Sequence, residues 1–284
     1  MTDQPLVSVG MPCYDRPAML RRAIECILNQ TYRNIEFIIS NDASPNPEIY
    51  KMLDEYAAKD KRIRLFHQPV DLQVYGNYYF VQQQATGKYF FYAQDDDIWE
   101  PQFIELLVEN LEQHPENAFA ICESRYIEVD GKEWQRLKFD NQSLATFIYG
   151  EKAPFVWMGL WRTELLRQFD YTDKDEHGKD IIIAAEALMS YPFGYVDKLL
   201  YSKTLYHDKA RKYIEAKWYC HFQMYGTLLY RIAISKYAKK KWRLVYLAPL
   251  ACVALVRLYA AQILFLLPVN HPIRKAVRGI INGT

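Results

Sequence analysis

The chain has 284 residues, of which 50% are hydrophobic and 24% are charged, and its formal net charge is +1. This is the composition of a globular protein that can bury a full core in one or two domains. Its five cysteines show no paired spacing, so a disulfide framework and a zinc site are excluded in favour of reduced thiols in a cytosolic compartment. The polar first residues lead directly into a strand pattern, and we expect no signal peptide.

Charge is unevenly distributed along the chain. Acidic residues outnumber basic ones up to Tyr206, whereas beyond it the acidic residues are Asp208 and Glu215 and lysine and arginine are frequent. An acidic body with a basic tail predicts a polyanionic partner for the tail, either nucleic acid or an anionic membrane.

The first third of the chain alternates between strand and helix patterns. Apolar runs that end in polar residues predict strands, and apolar residues at helical spacing predict the segments between them. Strands that alternate with helices indicate βαβ units and a parallel sheet. The predicted strands are residues 6–11, 35–40, 63–66 and 89–93, and the predicted helices are residues 17–30, 47–58 and 76–85.

The next third continues with a mixture of patterns. The predicted elements are a helix at 101–114, strands at 118–122 and 126–129, a turn at 130–131, a polar loop at 169–179, a helix at 181–189 and extended segments at 195–197 and 199–206. Between them, residues 146–166 are rich in aromatic side chains, including Phe155, Trp157 and Trp161. Aromatic residues at this density are typical of a core, although such rings can also stack on a ligand.

Polar clusters follow three of the predicted strands. They are residues 12–15, Asn41 with Asp42, and the triplet Asp95, Asp96 and Asp97. In parallel sheets ligands bind beyond the carboxyl ends of the strands, so the clusters indicate one site. Adjacent acids repel one another, and a divalent metal with a phosphate-bearing ligand would balance them. The alternative is a solvated acidic loop that caps the helix beginning near residue 101.

Phosphate-binding glycine loops are absent from the sequence. Neither a dinucleotide-binding Gly-x-Gly-x-x-Gly nor a P-loop follows any predicted strand. Phosphates at this site would therefore be held through a metal.

Six short segments give the chain a resemblance to a known family. In order and spacing over residues 5–206 they are similar to the family 2 glycosyltransferases, which have the GT-A fold. The segments are VSVGMPCYDRP at 7–17, NQTY at 29–32, ISNDAS at 39–44, ATGKY at 85–89, QDDDIWEP at 94–101 and GKD at 178–180.

The resemblance implies an α/β catalytic domain over residues 1–206, with a mixed, mostly parallel sheet flanked by helices. It implies inverting transfer of a sugar from a nucleotide-sugar, and the match at Asp42 favours a UDP-sugar. The Gln-x-x-Arg-Trp signature of processive polysaccharide synthases is absent, so we expect transfer of a single sugar.

The resemblance also implies roles for the residues that bind the donor. Pro12 and Tyr14 would frame the base and ribose, and Asp42 would accept hydrogen bonds from the base. Asn77 would approach the nucleotide, and Asp95 would lie near the ribose or the metal.

Asp96 matches the main ligand position for Mn²⁺ or Mg²⁺, and Asp180 matches the catalytic base. Two positions depart from the family pattern. Gln94 stands where the family's Asp-x-Asp begins, which makes metal dependence less strict, and Lys179 replaces the usual glutamate before the base. The alternative for Asp180 is an ordinary helix N-cap.

Residues 207–284 form a basic extension with an apolar run at 244–267. Its length fits a bilayer crossing, but Arg257 lies near its middle and basic residues flank both ends. We therefore expect a helix in the interface of an anionic membrane, at its cytoplasmic face. A true span, and a hairpin packed on the body or in a dimer, remain open.

Membrane attachment predicts a lipid-linked or membrane-proximal glycan as the acceptor. The aliphatic residues between the basic ones favour lipid over nucleic acid as the tail's partner. Two other functions stay open on the residues alone: a nucleotidyltransferase, and a non-catalytic membrane module that binds nucleotide-sugars.

Overall fold

The computed structural model describes residues 4–138, 154–169 and 179–205. The strands are β1 (Val7–Cys13), β2 (Ile35–Asn41), β3 (Ile63–His67), β4 (Tyr89–Tyr92), β5 (Ile98–Trp99), β6 (Phe119–Glu128), β7 (Glu133–Leu137), β8 (Leu160–Arg162) and β9 (Phe193–Leu205). The helices are α1 (Pro17–Leu28), α2 (Pro47–Lys59), α3 (Gln73–Gln83), α4 (Phe103–Gln113), α5 (Pro154–Trp157), α6 (Thr163–Leu166) and α7 (Lys179–Ser190).

The described strands form one sheet in the order β3-β2-β1-β4-β8-β6-β9-β5, with β7 paired to β6. Strands β1 to β4 pair in parallel, and β6 and β9 also pair in parallel. The short β8 runs antiparallel between β4 and β6. The predicted mixed sheet flanked by helices is confirmed.

The central strands are buried along their whole length, because helices cover the sheet. Every residue of β1, β2 and β4 is buried, including the large rings of Phe37, Phe90 and Phe91. Continuous apolar runs of this kind are typical of parallel strands with both faces covered. The apolar stripes of α1 and α4 supply part of that cover, with residues such as Ile24 and Leu107 fully buried.

A network of hydrogen bonds to one carboxylate joins the amino ends of these strands. The buried Glu36 of β2 accepts hydrogen bonds from Ser8 Oγ, Thr86 N and Arg64 Nη1, each at 2.5 Å. Burial alone would raise the pKa of Glu36, but these hydrogen bonds together hold it below its ordinary value. One carboxylate thus links β1, β2, β3 and the loop that precedes β4.

Some predicted boundaries are wrong. The segments predicted as separate strands at 118–122 and 126–129 form the single strand β6, and the two extended segments near the end of the described chain form β9. The polar residues that interrupt the β6 pattern have long-range partners. Glu123 pairs with Arg136 of β7, and Arg125 Nε donates to Ser202 Oγ at 2.9 Å. Helix α3 begins at Gln73, three residues before the predicted start.

Within the described ranges, no helix combines the length and the hydropathy needed to cross a bilayer. Residues 207–284 lie outside those ranges, and so does most of the polar loop predicted at 169–179. The membrane-associated extension therefore stays a prediction.

Candidate active site

The carboxyl ends of β1 and β2 bring the first two polar clusters together. Pro12 lies opposite Ser40 and Cys13 opposite Asn41 in the strand register, and Asp42 N donates to Cys13 O at 3.0 Å. Burial, followed by the negative charges of Asp95 and Asp42, raises the pKa of the Cys13 thiol well above its ordinary value. All three acidic and polar clusters therefore lie at one edge of the sheet, as the sequence predicts.

Asp42 is 5% exposed and lies where β2 gives way to its loop. Its Oδ1 accepts the backbone N–H of Leu72 at 2.7 Å, which ties it to the start of α3. Burial, together with the nearby carboxyl of Asp71, raises the pKa of Asp42 to about 6. The next residue, Ala43, has a positive φ of 51°, a strained backbone that persists only where the surrounding structure enforces it.

Two further residues predicted to contact the donor differ in exposure. Tyr14 follows β1 and is 47% exposed, so its ring is available to a ligand. Asn77 on α3 is 2% exposed, and its Nδ2 donates to Ser40 O at 3.0 Å. Its Oδ1 is buried and has no hydrogen-bond partner among the described residues. A buried acceptor of this kind is costly unless a ligand completes it.

The acid triplet divides into two parts with different partners. Arg16, the residue that precedes α1, places Nη2 at 2.5 Å from Asp95 Oδ1 and bonds Asp96 Oδ2 through Nη1. Asp97 turns the other way and accepts hydrogen bonds from Tyr201 Oη and from the backbone N–H of Thr204. Two carboxylates therefore face a cation, whereas the third fastens β9 to the site.

Arg16 was not among the predicted site residues. It lies 79 residues from Asp95 in the chain, so no local pattern links the two. The available signal was its place in the polar loop after β1, because the ends of β1 and β4 meet at the same edge of the sheet.

Asp180 is the second residue of α7 and is partly buried. Tyr78, a half-buried residue of α3, lies within electrostatic reach of both Asp180 and the triplet. Burial, followed by the charges of Asp95, Asp96, Asp97 and Asp180, raises the pKa of the Tyr78 hydroxyl well above its ordinary value. Asp180 is therefore on the same side of the molecule as the triplet, within electrostatic reach of the same phenol.

The aromatic residues around Tyr78 form a packed wall. Trp157 stacks on Tyr92 with ring centroids 4.5 Å apart, and Tyr78 contacts Tyr92 at 5.1 Å. Trp157 is 3% exposed and Trp161 is fully buried. These two tryptophans belong to the core, as their density predicts, and do not present free faces to a sugar.

At this edge of the sheet, a divalent metal could be held by two carboxylates together with the phosphates of a ligand. Within the described part of the chain no three histidine, cysteine or acidic side chains come close enough together to hold an ion. Asp95 and Asp96 nevertheless offer two neighbouring carboxylates, and Mg²⁺ or Mn²⁺ is commonly held by one or two carboxylates plus substrate phosphates. The donor set thus fits a cation that is bound together with a diphosphate.

The sequence is similar to a known protein family and to several known proteins. Residues 8–191 match the family described as Glycosyl transferase family 2. An uncharacterised glycosyltransferase of Methanocaldococcus jannaschii is 26% identical over 203 residues, which cover 70% of this chain and 70% of that protein. A putative colanic acid biosynthesis glycosyl transferase of Escherichia coli is 31% identical over 121 residues, 42% of each chain.

Other relatives are longer proteins. The chondroitin synthase of Pasteurella multocida is 22% identical over 82% of this chain, but the match spans 24% of that enzyme. Several uncharacterised relatives are matched over 12% to 38% of their own length. The chain therefore corresponds to only part of many of its curated relatives.

Solved structures share the fold at low sequence identity. TarS of S. aureus in complex with UDP-GlcNAc has a TM-score of 0.65 and 14% identity, covering 84% of this chain and 69% of that one. The mannosyltransferase of Pyrobaculum calidifontis in complex with GDP-Man and Mn²⁺ has a TM-score of 0.64 and 13% identity, covering 99% and 81%. With the family match over most of the described residues and the α/β sheet above, the chain belongs to the family 2 glycosyltransferases and has the GT-A fold.

Proposed function

We propose that the chain transfers one sugar, with inversion, from a UDP-sugar to a hydroxyl of a lipid-linked or membrane-proximal glycan. The observation that carries the proposal is that acids from separate segments lie within electrostatic reach of the same two groups, the buried Cys13 thiol and the half-buried Tyr78 phenol. Asp42 and Asp95 both act on the Cys13 thiol, and Asp95 and Asp180 both act on the Tyr78 phenol. Acids from separate segments therefore surround one edge of the sheet.

The base of the donor would bind at the end of β2. Uracil presents an N–H donor, and an ionised Asp42 can accept it while keeping its bond to Leu72 N. The unpartnered Oδ1 of Asn77 supports a ligand at this place, and the exposed ring of Tyr14 can pack on the base or the ribose. Pro12, buried at the end of β1, would limit the depth of the pocket.

The diphosphate would lie over Asp95 and Asp96. A divalent metal bound by these carboxylates would neutralise the charge that develops on the leaving diphosphate, without proton transfer. Gln94, at the other family ligand position, is neutral and is a weaker ligand for such an ion. The two aspartates would hold the phosphates in position relative to the sugar.

Asp180 is proposed as the base that removes the proton from the acceptor hydroxyl. An inverting transfer needs such a group on the face of the sugar opposite the leaving phosphate. Asp180 and the triplet both act electrostatically on Tyr78, which supports a position for Asp180 near the same site. Asp180 lies in the first turn of α7, a position where acidic side chains interact favourably with the helix dipole.

The acceptor is proposed from location and from relatives. The basic, apolar sequence of 236–284 is suited to an anionic membrane surface, where lipid-linked glycans are extended. One relative is described as a putative colanic acid biosynthesis enzyme and another as a chondroitin synthase, and both descriptions concern polysaccharides. A glycan acceptor at the membrane agrees with both lines.

The experiment that tests the proposal is a thermal-denaturation panel of nucleotide-sugars with and without Mn²⁺, followed by assay of nucleotide release from the donor that stabilises the chain. We expect UDP-sugars to raise the midpoint of thermal denaturation more than GDP-sugars do, and Mn²⁺ to increase the stabilisation by UDP-sugars. Stabilisation by GDP-sugars alone would reject UDP as the donor nucleotide. Binding without any nucleotide release, even with membrane lipid extracts as acceptor, would reject the catalytic assignment.

A further inference from the structure

We propose that Arg16 is the resident counter-ion of Asp95 and Asp96, and that its guanidinium excludes a free divalent metal until a diphosphate draws it away. The inference rests on the proposed function for the identity of the diphosphate. It concerns the order in which the site is filled, and it makes metal and donor binding mutually dependent.

The geometry of the contact is that of a bridge. The two terminal nitrogens of Arg16 bond different carboxylates, Nη2 to Asp95 Oδ1 at 2.5 Å and Nη1 to Asp96 Oδ2. The guanidinium thus lies between the two groups that would hold a metal. A guanidinium and a divalent ion repel each other, so the same carboxylate oxygens cannot serve both at full strength.

Burial makes the contact necessary in the absence of donor. The side chains of Asp95 and Asp96 are 4% and 10% exposed, whereas that of Arg16 is 33% exposed. Adjacent carboxylates buried this deeply are strongly destabilising unless a cation balances them. Arg16 supplies that cation from the solvent side, where an incoming ligand can reach it.

The backbone of Arg16 is fixed, whereas its side chain can change partner. The carbonyl of Arg16 accepts hydrogen bonds from Met19 N at 3.1 Å and Leu20 N at 2.9 Å, and Pro17 begins the helix after it. A long side chain on an anchored backbone can turn from the carboxylates to a ligand a few ångströms away. Guanidinium binds phosphate through two parallel hydrogen bonds, so a diphosphate is a competent alternative partner.

The rest of the triplet limits this exchange to two residues. Asp97 is held on the side of β9, where its carboxylate accepts hydrogen bonds from Tyr201 and Thr204. Arg22 also reaches the triplet, but it donates to the backbone carbonyl of Asp96 at 3.0 Å, not to a carboxylate. Arg16 is therefore the side chain whose departure would open both carboxylates at once.

Reciprocal dependence follows from this exchange. If a diphosphate draws Arg16 away, it frees ligands for the metal, and the metal in turn strengthens the hold on the diphosphate. Linkage requires the two effects to be equal in free energy, and couplings of this kind are about 5- to 150-fold in affinity. Without Arg16 the metal should bind alone, and the part of the coupling that comes from the exchange should be lost.

The test measures Mn²⁺ affinity of the full chain by the electron paramagnetic resonance signal of free Mn²⁺, without nucleotide and with UDP. We expect Arg16→Gln to bind Mn²⁺ alone about tenfold more tightly than the unchanged protein, within the usual range of such couplings. UDP should increase Mn²⁺ affinity less in Arg16→Gln than in the unchanged protein. Arg21→Gln, an exposed charge on the same helix, is the matched control and should behave as the unchanged protein.

Arg16→Lys provides a second variant in case the glutamine variant does not fold. Lysine keeps the charge but offers a single ammonium that cannot bridge two carboxylates in the same way, so Mn²⁺ should bind alone with intermediate affinity. Equal Mn²⁺ affinity in a folded Arg16 variant and the unchanged protein, including no binding in either, would overturn the proposal. The two proposals can fail separately. If the Arg16 variant binds Mn²⁺ more tightly but the unchanged protein transfers no sugar, the role of Arg16 stands and the proposed function is rejected.

Discussion

The carboxylate of Asp97 accepts the backbone N–H of Thr204 at 2.9 Å. This bond joins the third acid of the triplet to β9, more than a hundred residues later in the chain. Tyr201 adds its hydroxyl to the same carboxylate, and the ring of Tyr201 stacks on Trp99 with centroids 5.8 Å apart. Asp97 therefore holds β9 in place, whereas its two neighbours pair with Arg16.

Removal of the buried Asp97 carboxylate should destabilise the fold more than removal of an exposed carboxylate does. Asp97→Ala leaves two buried donors without an acceptor, each costing about 1–3 kcal/mol, so we expect a loss of roughly 2–5 kcal/mol in the free energy of unfolding. Tyr201→Phe removes one of the two bonds and should lose about 1 kcal/mol. Urea denaturation measures both, and equal stability of Asp97→Ala and the unchanged protein would contradict the assigned role.

Nucleotide affinity should depend on the ionisation of Asp42. The pKa of this carboxyl is raised to about 6 by burial and by Asp71. Only the ionised form has both oxygens free of a proton, so that one can accept the uracil N–H while the other keeps the bond from Leu72 N. UDP affinity should therefore fall as the pH drops below about 6. Because Asp71 contributes to the raised pKa, Asp71→Asn should move the fall to lower pH. Calorimetric titration of UDP from pH 5 to 8 measures this, and an identical profile in both proteins would contradict the assignment.

Loss of the proposed base should separate turnover from binding. Asp180→Asn keeps the shape of the residue but cannot take a proton, and removal of a general base commonly lowers turnover by about 10²–10⁴. UDP affinity should stay within about twofold, because Asp180 is assigned no contact with the nucleotide. The control is Asp54→Asn, whose side chain is 67% exposed. Near-normal turnover of Asp180→Asn would place the base elsewhere.

Gly87 should not tolerate a side chain. A Cβ on this residue would lie 2.6 Å from the carbonyl oxygen of Leu6 and 2.8 Å from the backbone N of Ser8, and only movement of β1 could relieve both contacts. Gly87→Ala should therefore destabilise the fold by about 1–3 kcal/mol. The control is Gly76→Ala within α3, where the nearest atom, Leu72 Cβ, is 3.3 Å away, and alanine favours a helix by about 0.5–1 kcal/mol. Gly87→Ala should lower the midpoint of thermal denaturation by more than Gly76→Ala does, and equal midpoints would contradict the assigned contacts.

The basic extension should bind anionic vesicles through its charges. Each lysine near an anionic surface contributes about 1 kcal/mol, so reversal of Lys239, Lys240 and Lys241 to glutamate should weaken vesicle binding by about a hundredfold or more. The matched control reverses the exposed lysines of the body, Lys51, Lys59 and Lys61. Co-sedimentation with vesicles at low and high salt measures the effect. Equal sedimentation of the two triple variants would show that the tail's charges do not direct binding.

The sequence was sufficient to predict the strands whose residues are buried on both faces of the sheet. The apolar runs of β1, β2 and β4 predicted the ends of these strands to within two residues, and the carboxyl-end rule placed Asp42 and the triplet at one edge. The two-residue β5 and three-residue β8 are too short to show a period, so no pattern could indicate them. They form because neighbouring strands complete their hydrogen bonds.

The division of labour within the acid triplet could not be predicted for a different reason. Asp95, Asp96 and Asp97 are identical in chemistry, and their roles depend on partners that lie far away in the chain, Arg16 on one side and β9 on the other. The polar residues of β6 also misled the prediction of strand bounds, because an interrupted pattern does not reveal that Glu123 has an arginine partner. Contacts of this range depend on the finished sheet.

The hydrogen bonds of Glu36 fix the strands at their amino ends, opposite the loops of the candidate site. At the amino ends, one carboxylate bonded to Ser8, Thr86 and Arg64 fixes how far apart the strands stand. The loops that hold Asp42 and the acid triplet leave the opposite ends of the same strands. A substitution in one of those loops therefore leaves the bonds at the amino ends in place, whereas a change at Glu36 would move several strands, and the loops that follow them, together.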